Sequence, residues 1–163
     1  MANTSYLRYT VEPWVREQLS AQYGQPFSSR KLQLSTGGWH EFDAVSGDAL
    51  VVGSIKAHSG LTSGGNHPVG KVAMCLNEVY YLTLIESANR VLILTDPDFY
   101  RIFSKATIGK IATGIEIRLI VLPPEMQSEV DVIRRGASEE MVGVKATLLL
   151  PNGQVIDVNT FPD

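Results

Sequence analysis

Along this chain, short runs of alternating or continuous apolar residues are interleaved with longer stretches in which apolar residues recur every three or four positions, the signatures of strands and helices. Pro13 suits the first turn of a helix running to about Gln22, with Trp14, Val15, Leu19 and Ala21 on its inner side and Gly24 as its stop. The period-two stretch KLQLS follows as a strand. After Gly37-Gly38, WHEFDAV and ALVVGSIKA read as two strands around SGD, whose turn chemistry predicts a hairpin. HSGLTSGGNHPVG is a loop rich in Gly, Ser and Asn; it opens a long helix over about Val69 to Ser87, with Pro68 near its start and Asn66 available as a cap. RVLILTD is apolar and bounded by Asp96-Pro97, the pattern of a strand covered on both faces that feeds a helix capped by Asp96. That helix, PDFYRIFSKA, leads to the strand GIEIRLIVL, which Pro123-Pro124 ends. PEMQSEVDVIRRGA forms the next helix, and GVKATLLLPNGQVIDV closes the sequence with a hairpin about Asn152-Gly153.

The order of elements predicts an α/β sandwich around one mixed sheet, with antiparallel pairing on the hairpin side and parallel pairing on the other. A doubly wound nucleotide-binding fold fits less well. No Gly-rich loop follows a first strand and no GxxxxGK[ST] sequence occurs.

Composition narrows the function classes. With 163 residues and 44% hydrophobic content the chain supports one core, so residues 1–163 are read as a single domain with a core over about 12–122 and a C-terminal helix and hairpin over 124–158. Fourteen basic against 17 acidic side chains give a net charge of −3, so any phosphate-binding surface has to be local. The single cysteine, Cys75, rules out an intramolecular disulfide and reads as a packed small hydrophobe. No leader pattern and no run of roughly 18 apolar residues occurs, which points to the cytoplasm and away from a membrane.

Chemistry enters with HEFDAVSGDALVVGSIK. Residues two apart on a strand share a face, so Glu41 and Asp43 point one way on the first strand of the hairpin, as do Ser54 and Lys56 on the second. Phe42, Ala44, Val51, Gly53 and Ile55 are expected on the opposite, apolar face. Taken alone, Asp43 and Lys56 are a cross-strand ion pair worth up to ~1 kcal/mol.

The same residues resemble a known superfamily. EFDAV, a short turn, LVVGSIK, a loop and a long helix, preceded by a helix carrying Glu17, look like the core of the PD-(D/E)XK, or restriction-endonuclease-like, nucleases, with branches of the Holliday-junction-resolvase type nearest. The likeness covers about residues 12–105. It implies a restriction-endonuclease-like three-layer α/β/α sandwich with a mixed central sheet. It also implies that Asp43 binds a metal, that Lys56 supports the attacking water or the charge on the phosphate, and that Glu17 is the first-helix glutamate of several branches.

Ser54 departs from the pattern, because the family usually places Glu, Asp or Gln two residues before the lysine. Mg²⁺ prefers carboxylate oxygens, and a serine hydroxyl is a poor substitute. In some restriction enzymes the motif reads Ser-x-Lys and the acid stands on the following helix, where Glu78 is the acidic residue on offer. Glu41 and Glu17 could complete the sphere instead, and they rank above Glu78 on sequence grounds.

The activity so implied is hydrolysis of a phosphodiester in DNA with Mg²⁺ or Mn²⁺, with Asp43, Glu17, Glu41 and Glu78 as metal ligands and Lys56 and Ser54 beside them. Arg30, Lys31, Lys71, Lys105 and Lys110 are candidates for sequence-independent contacts to the nucleic-acid backbone. His58 and His67 lie in or beside the Gly-rich loop, where an imidazole can serve a metal or a proton, though loop histidines are usually inert. The terminal hairpin offers an edge through which two copies could pair as a homodimer. Two other readings stay open: a nuclease-derived domain that has lost catalysis and binds nucleic acid or protein, and an unrelated α/β scaffold.

Overall fold

The computed structural model describes residues 5–60, 67–87, 89–143, 147–149 and 155–157, with the backbone alone beyond residue 136. A π-helical turn, Leu7–Val11, runs into α1 (Glu12–Tyr23), and then come β1 (Phe27–Gln33), β2 (Trp39–Ser46), β3 (Val51–Lys56), α2 (Val69–Thr83), β4 (Asn89–Leu94), α3 (Pro97–Ala106), β5 (Ile115–Leu119) and α4 (Pro124–Gly143). Two short strands, β6 (Thr147–Leu149) and β7 (Val155–Asp157), pair antiparallel as a separate hairpin. Its Asn152-Gly153 turn and the expected cap Asn66 lie outside the described residues. Among the described residues no helix is long and apolar enough to cross a membrane.

The protein is an α/β structure with a five-stranded mixed sheet in the order β1-β2-β3-β4-β5. The β1/β2 and β2/β3 pairs are antiparallel, and the β3/β4 and β4/β5 pairs are parallel. The two successive parallel crossovers step the same way along the sheet, and the helices they carry, α2 and α3, lie on one face, as connections of a single hand require. There Cys75, Val79 and Leu82 of α2 and Phe99 and Phe103 of α3 pack with Phe42, Val45, Val52, Leu92 and Leu94. The other face is covered by Val11, Val15 and Leu19 from the N-terminal helical segment and by Val130 of α4, packed on Ala44, Val51, Ile55, Val91 and Ile93. Each fully buried large side chain of these layers contributes about 1.5–3 kcal/mol.

Local chemistry sets the ends of the elements. Gly24 closes α1 in the left-handed conformation (φ 67°), where its amide donates to Ser20 O. Asp96 caps α3 through a 2.8 Å bond from Phe99 N, followed by Pro97 in the first turn. The turn after β2 is tied by Asp48, whose Oδ1 accepts from Ser46 Oγ and Leu50 N. α1 starts one residue before Pro13 and is extended backwards by the π turn, which brings Glu12 into the helix. α2 ends at Thr83, four residues short of the expected Ser87.

The β1/β2 ladder carries one irregularity. Between the pairs Ser28↔Val45 and Arg30↔Phe42, a single β1 residue, Ser29, faces two β2 residues, Asp43 and Ala44. This is a β-bulge, and it re-aims side chains locally. Phe42 therefore packs on the α2 face, while Ala44 packs under α1. Strict alternation puts Phe42 and Ala44 on one face, and the bulge is the reason that expectation fails.

Candidate active site at the end of strand β3

β3 is buried along nearly its whole length, and its residues alternate between the two cores: Val51 and Ile55 face α1, while Val52 faces α2. Ser54 and Lys56 follow Val52 on the α2 side, as expected from the period of two. The β2/β3 ladder pairs Ala44 with Gly53 and Val45 with Val52. Beyond that point a side chain takes over from the backbone: Asp43 Oδ2 accepts a 2.8 Å hydrogen bond from Ile55 N. The bulge thus holds the Asp43 carboxylate in the fork where the two strands part.

Glu78 approaches from α2. Its Oε1 lies 3.2 Å from Lys56 Nζ, and its Oε2 accepts from Ser54 Oγ at 3.0 Å and lies 3.2 Å from His40 Nε2. Lys56 Nζ is also 4.0 Å from Asp43 Oδ2. One ammonium therefore stands between two carboxylates from different elements. His40 is held flat against Tyr81, with ring centroids 3.9 Å apart, and edge-on to Phe42.

A third carboxylate stands close by. Glu12, in the first turn of α1, is 3.6 Å from Arg16 NH1, and the same guanidinium nitrogen donates to the Asp43 carbonyl oxygen at 2.9 Å. Burial, reinforced by the Asp43 charge, raises the Glu12 carboxyl above its ordinary pKa.

The site is largely withdrawn from water, and its charges are set against that cost. Burial raises the Asp43 carboxyl above the usual range, against the opposing pull of the Ile55 amide and Lys56. Burial would also raise Glu78, but Lys56 and the hydrogen bonds from His40, Ser54 and Lys56 outweigh it, so its pKa is lowered. Burial works against the Lys56 ammonium, yet Asp43 and Glu78 prevail and raise it. The result is one carboxylate held firmly ionised beside a permanently charged lysine, and a second poised to hold a proton more readily.

The residues nominated from the sequence divide clearly. Asp43, Ser54, Lys56 and Glu78 come together. Glu41 does not join them: its side chain is exposed, and its Oε1 accepts from Ser29 Oγ at 2.9 Å and lies 3.5 Å from Arg8. Glu17 is exposed on α1, about 140° around the helix from Glu12 at 3.6 residues per turn, and so turns away from the Asp43 carboxylate. The ranking of Glu17 and Glu41 above Glu78 is therefore reversed. His40 and Glu12 join the site without a nomination from the sequence. Of the expected phosphate contacts, Lys71 stands near the site and acts on His58; Lys31, Lys105 and Lys110 are exposed, and Lys110 caps α3 through Ala106 O. Arg30 donates to Ser46 O. His67 is exposed, whereas His58 is largely buried edge-on to Phe99. Cys75 is buried, with its thiol pushed up to about 12 by burial, as suits a core residue.

Among the described residues, no group of three or more His, Cys, Asp or Glu side chains is gathered to hold a metal ion. Asp43 and Glu78 are nonetheless two hard oxygen donors on neighbouring elements, which matches the one or two carboxylates Mg²⁺ takes when waters and substrate phosphates complete its sphere. Comparisons with protein-family models, with curated proteins and with solved structures give no match for this chain.

Proposed function

We propose that the chain is a metal-dependent phosphodiesterase of the PD-(D/E)XK type acting on DNA, with its second acid moved from β3 to α2. The observation that carries this reading is the convergence of Asp43, Lys56 and Glu78, with Ser54, in the place of the usual acid, hydrogen-bonded to the Glu78 carboxylate. The mixed sheet with helices on both faces agrees with a restriction-endonuclease-like fold. Asp43 and Glu78 would hold the cation. A divalent ion there supplies Lewis-acid polarisation of a phosphate oxygen and lowers the pKa of a bound water. Lys56, charged across the working pH range, offers its ammonium to the negative charge that develops on the phosphate. His40 and Ser54 fix the orientation of Glu78, and Arg16 holds the Asp43 backbone. The test is cleavage of plasmid and oligonucleotide DNA in Mg²⁺ or Mn²⁺: activity that disappears in Asp43→Ala, Glu78→Ala and Lys56→Ala supports the reading, and equal traces of activity in all four proteins reject it.

The 3.2 Å pair between Lys56 and Glu78 favours a second reading, in which the site is a self-neutralised relic and the domain binds nucleic acid or protein without cutting. Oligonucleotide binding with no metal-dependent cleavage would decide for it.

A further inference from the structure

A cleft of about 490 Å³ opens directly beside this site, between the N-terminal helical segment, the end of β3 and α2. Lys56 lines it, so whatever occupies it sits next to the group that would face a phosphate. Its other walls include Leu7, Arg8, Tyr9, Glu12, His58 and Met74. Tyr9 is 74% exposed and Met74 57% exposed, so a tyrosine and a thioether are open to solvent in a cleft whose lining mixes apolar and charged side chains. The volume falls within the range of roughly 300–1,000 Å³ typical of small-ligand pockets.

Resting on the hydrolase reading above, we propose that this cleft receives an unpaired nucleobase adjacent to the scissile phosphate, so that the substrate is single-stranded or splayed nucleic acid and not a continuous duplex. Shape and charge support this independently. A base within a stacked duplex cannot enter a pocket of this kind without leaving the stack. In addition, the net charge of −3 gives no global attraction for a phosphate backbone, so affinity for any strand has to come from local contacts. Stacking on an exposed aromatic is the other general source of affinity for a nucleic-acid strand, and it is open to any base whose ring face is free. Arg8, at the mouth of the cleft and paired only loosely with Glu41 at 3.5 Å, is placed for the flanking phosphate.

The experiment compares one sequence as single strand, fork and blunt duplex, in DNA and RNA forms, together with a single strand in which the nucleotide beside the cleaved bond is abasic. Cleavage is measured in Mn²⁺ and binding by fluorescence anisotropy in Ca²⁺. The expected result is a preference of about tenfold or more for strand and fork over blunt duplex, lost with the abasic strand. Tyr9→Ala should raise KM about tenfold with kcat retained, while Tyr9→Phe behaves as the native protein; the position is exposed enough that folding is not at stake. Equal cleavage of the blunt duplex, or an unchanged KM in Tyr9→Ala, overturns the pocket assignment and leaves the hydrolase reading intact. If no substrate is cut, the hydrolase reading falls, and anisotropy decides the pocket alone: Tyr9-dependent binding of the single strand supports it, and binding that is absent or indifferent to Tyr9 overturns it.

Discussion

Ser54 Oγ donates a 3.0 Å hydrogen bond to Glu78 Oε2, joining a fully buried residue of β3 to a helix twenty-four positions further along the chain. The bond fixes which of the two elements carries the carboxylate at this point in space, and it makes the exchange between them testable.

Glu78→Ala should reduce metal-dependent cleavage roughly a hundredfold or more, since it removes one of two carboxylates. Ser54→Glu alone should destabilise the protein, because it forces a second carboxylate against the first in a buried place. Combining Ser54→Glu with Glu78→Ser returns one acid to the same space from the other element. The double variant should recover part of the activity lost in Glu78→Ala, measured as initial cleavage rate in Mn²⁺, and should melt above the Ser54→Glu protein.

Lys56→Met removes the cation that Asp43 and Glu78 share. Because these side chains retain 15–24% of their exposure, the expected loss is about 2 kcal/mol in urea denaturation and not the full cost of a deeply buried pair. Millimolar Mg²⁺ should raise the Tm of this variant more than that of the native protein, as the two carboxylates are then left to attract a cation.

His58 predicts a pH dependence of stability. Burial first, and then Lys56, Lys71 and Arg134, lower its pKa from 6.5 to about 4, and its Nε2 atom is buried with no hydrogen-bond partner among the described residues. Below pH 6.5 the unfolded chain takes up a proton that the folded protein refuses until about pH 4. Stability should therefore fall, as the pH is lowered across that interval, by about 3 kcal/mol. Chemical denaturation at a series of pH values should show a shallower slope in His58→Leu.

Gly60 and Gly70 should respond oppositely to alanine. A Cβ at Gly60 would stand 2.6 Å from Asp98 Cβ and 3.1 Å from the Asp98 carbonyl carbon, so the start of α3 would have to shift; a loss of about 1–3 kcal/mol is expected. At Gly70, in the first turn of α2, nothing among the described residues lies within 4 Å, and Gly70→Ala should be neutral or stabilise by about 0.4–1 kcal/mol. Thermal melts of the two variants check both.

Much of this architecture is written in local patterns. The apolar run of β4, the Asp96-Pro97 start of α3 and the alternation that puts Ser54 and Lys56 on one face all survive in the structure. What was not legible depends on residues distant in sequence or on small irregularities. Starting α1 at Pro13 discards Glu12, although Val11, Val15 and Leu19 form the buried stripe beside which Glu12 and Arg16 lie. The length of the preceding loop counts against Glu78 in the sequence. Its spacing holds the better signal: it falls three residues after Cys75 and four before Leu82, within the inward stripe of α2, where a carboxylate needs a partner. His40 gives no sign, because its role rests on Tyr81 and Glu78, both on α2. The position of Phe42 depends on the bulge, which no alternation rule foresees.

The bulge in β2 gives the carboxylate a peculiar genetic status. With Asp43 excised, Phe42, Ala44 and Val45 would stand opposite Arg30, Ser29 and Ser28 in unbroken register, each still facing the layer it packs against now. Loss of a single codon would thus erase the aspartate proposed to hold the cation while sparing the hydrophobic layers, and gain of one codon would restore it, so the proposed site could be lost and regained without rebuilding the core.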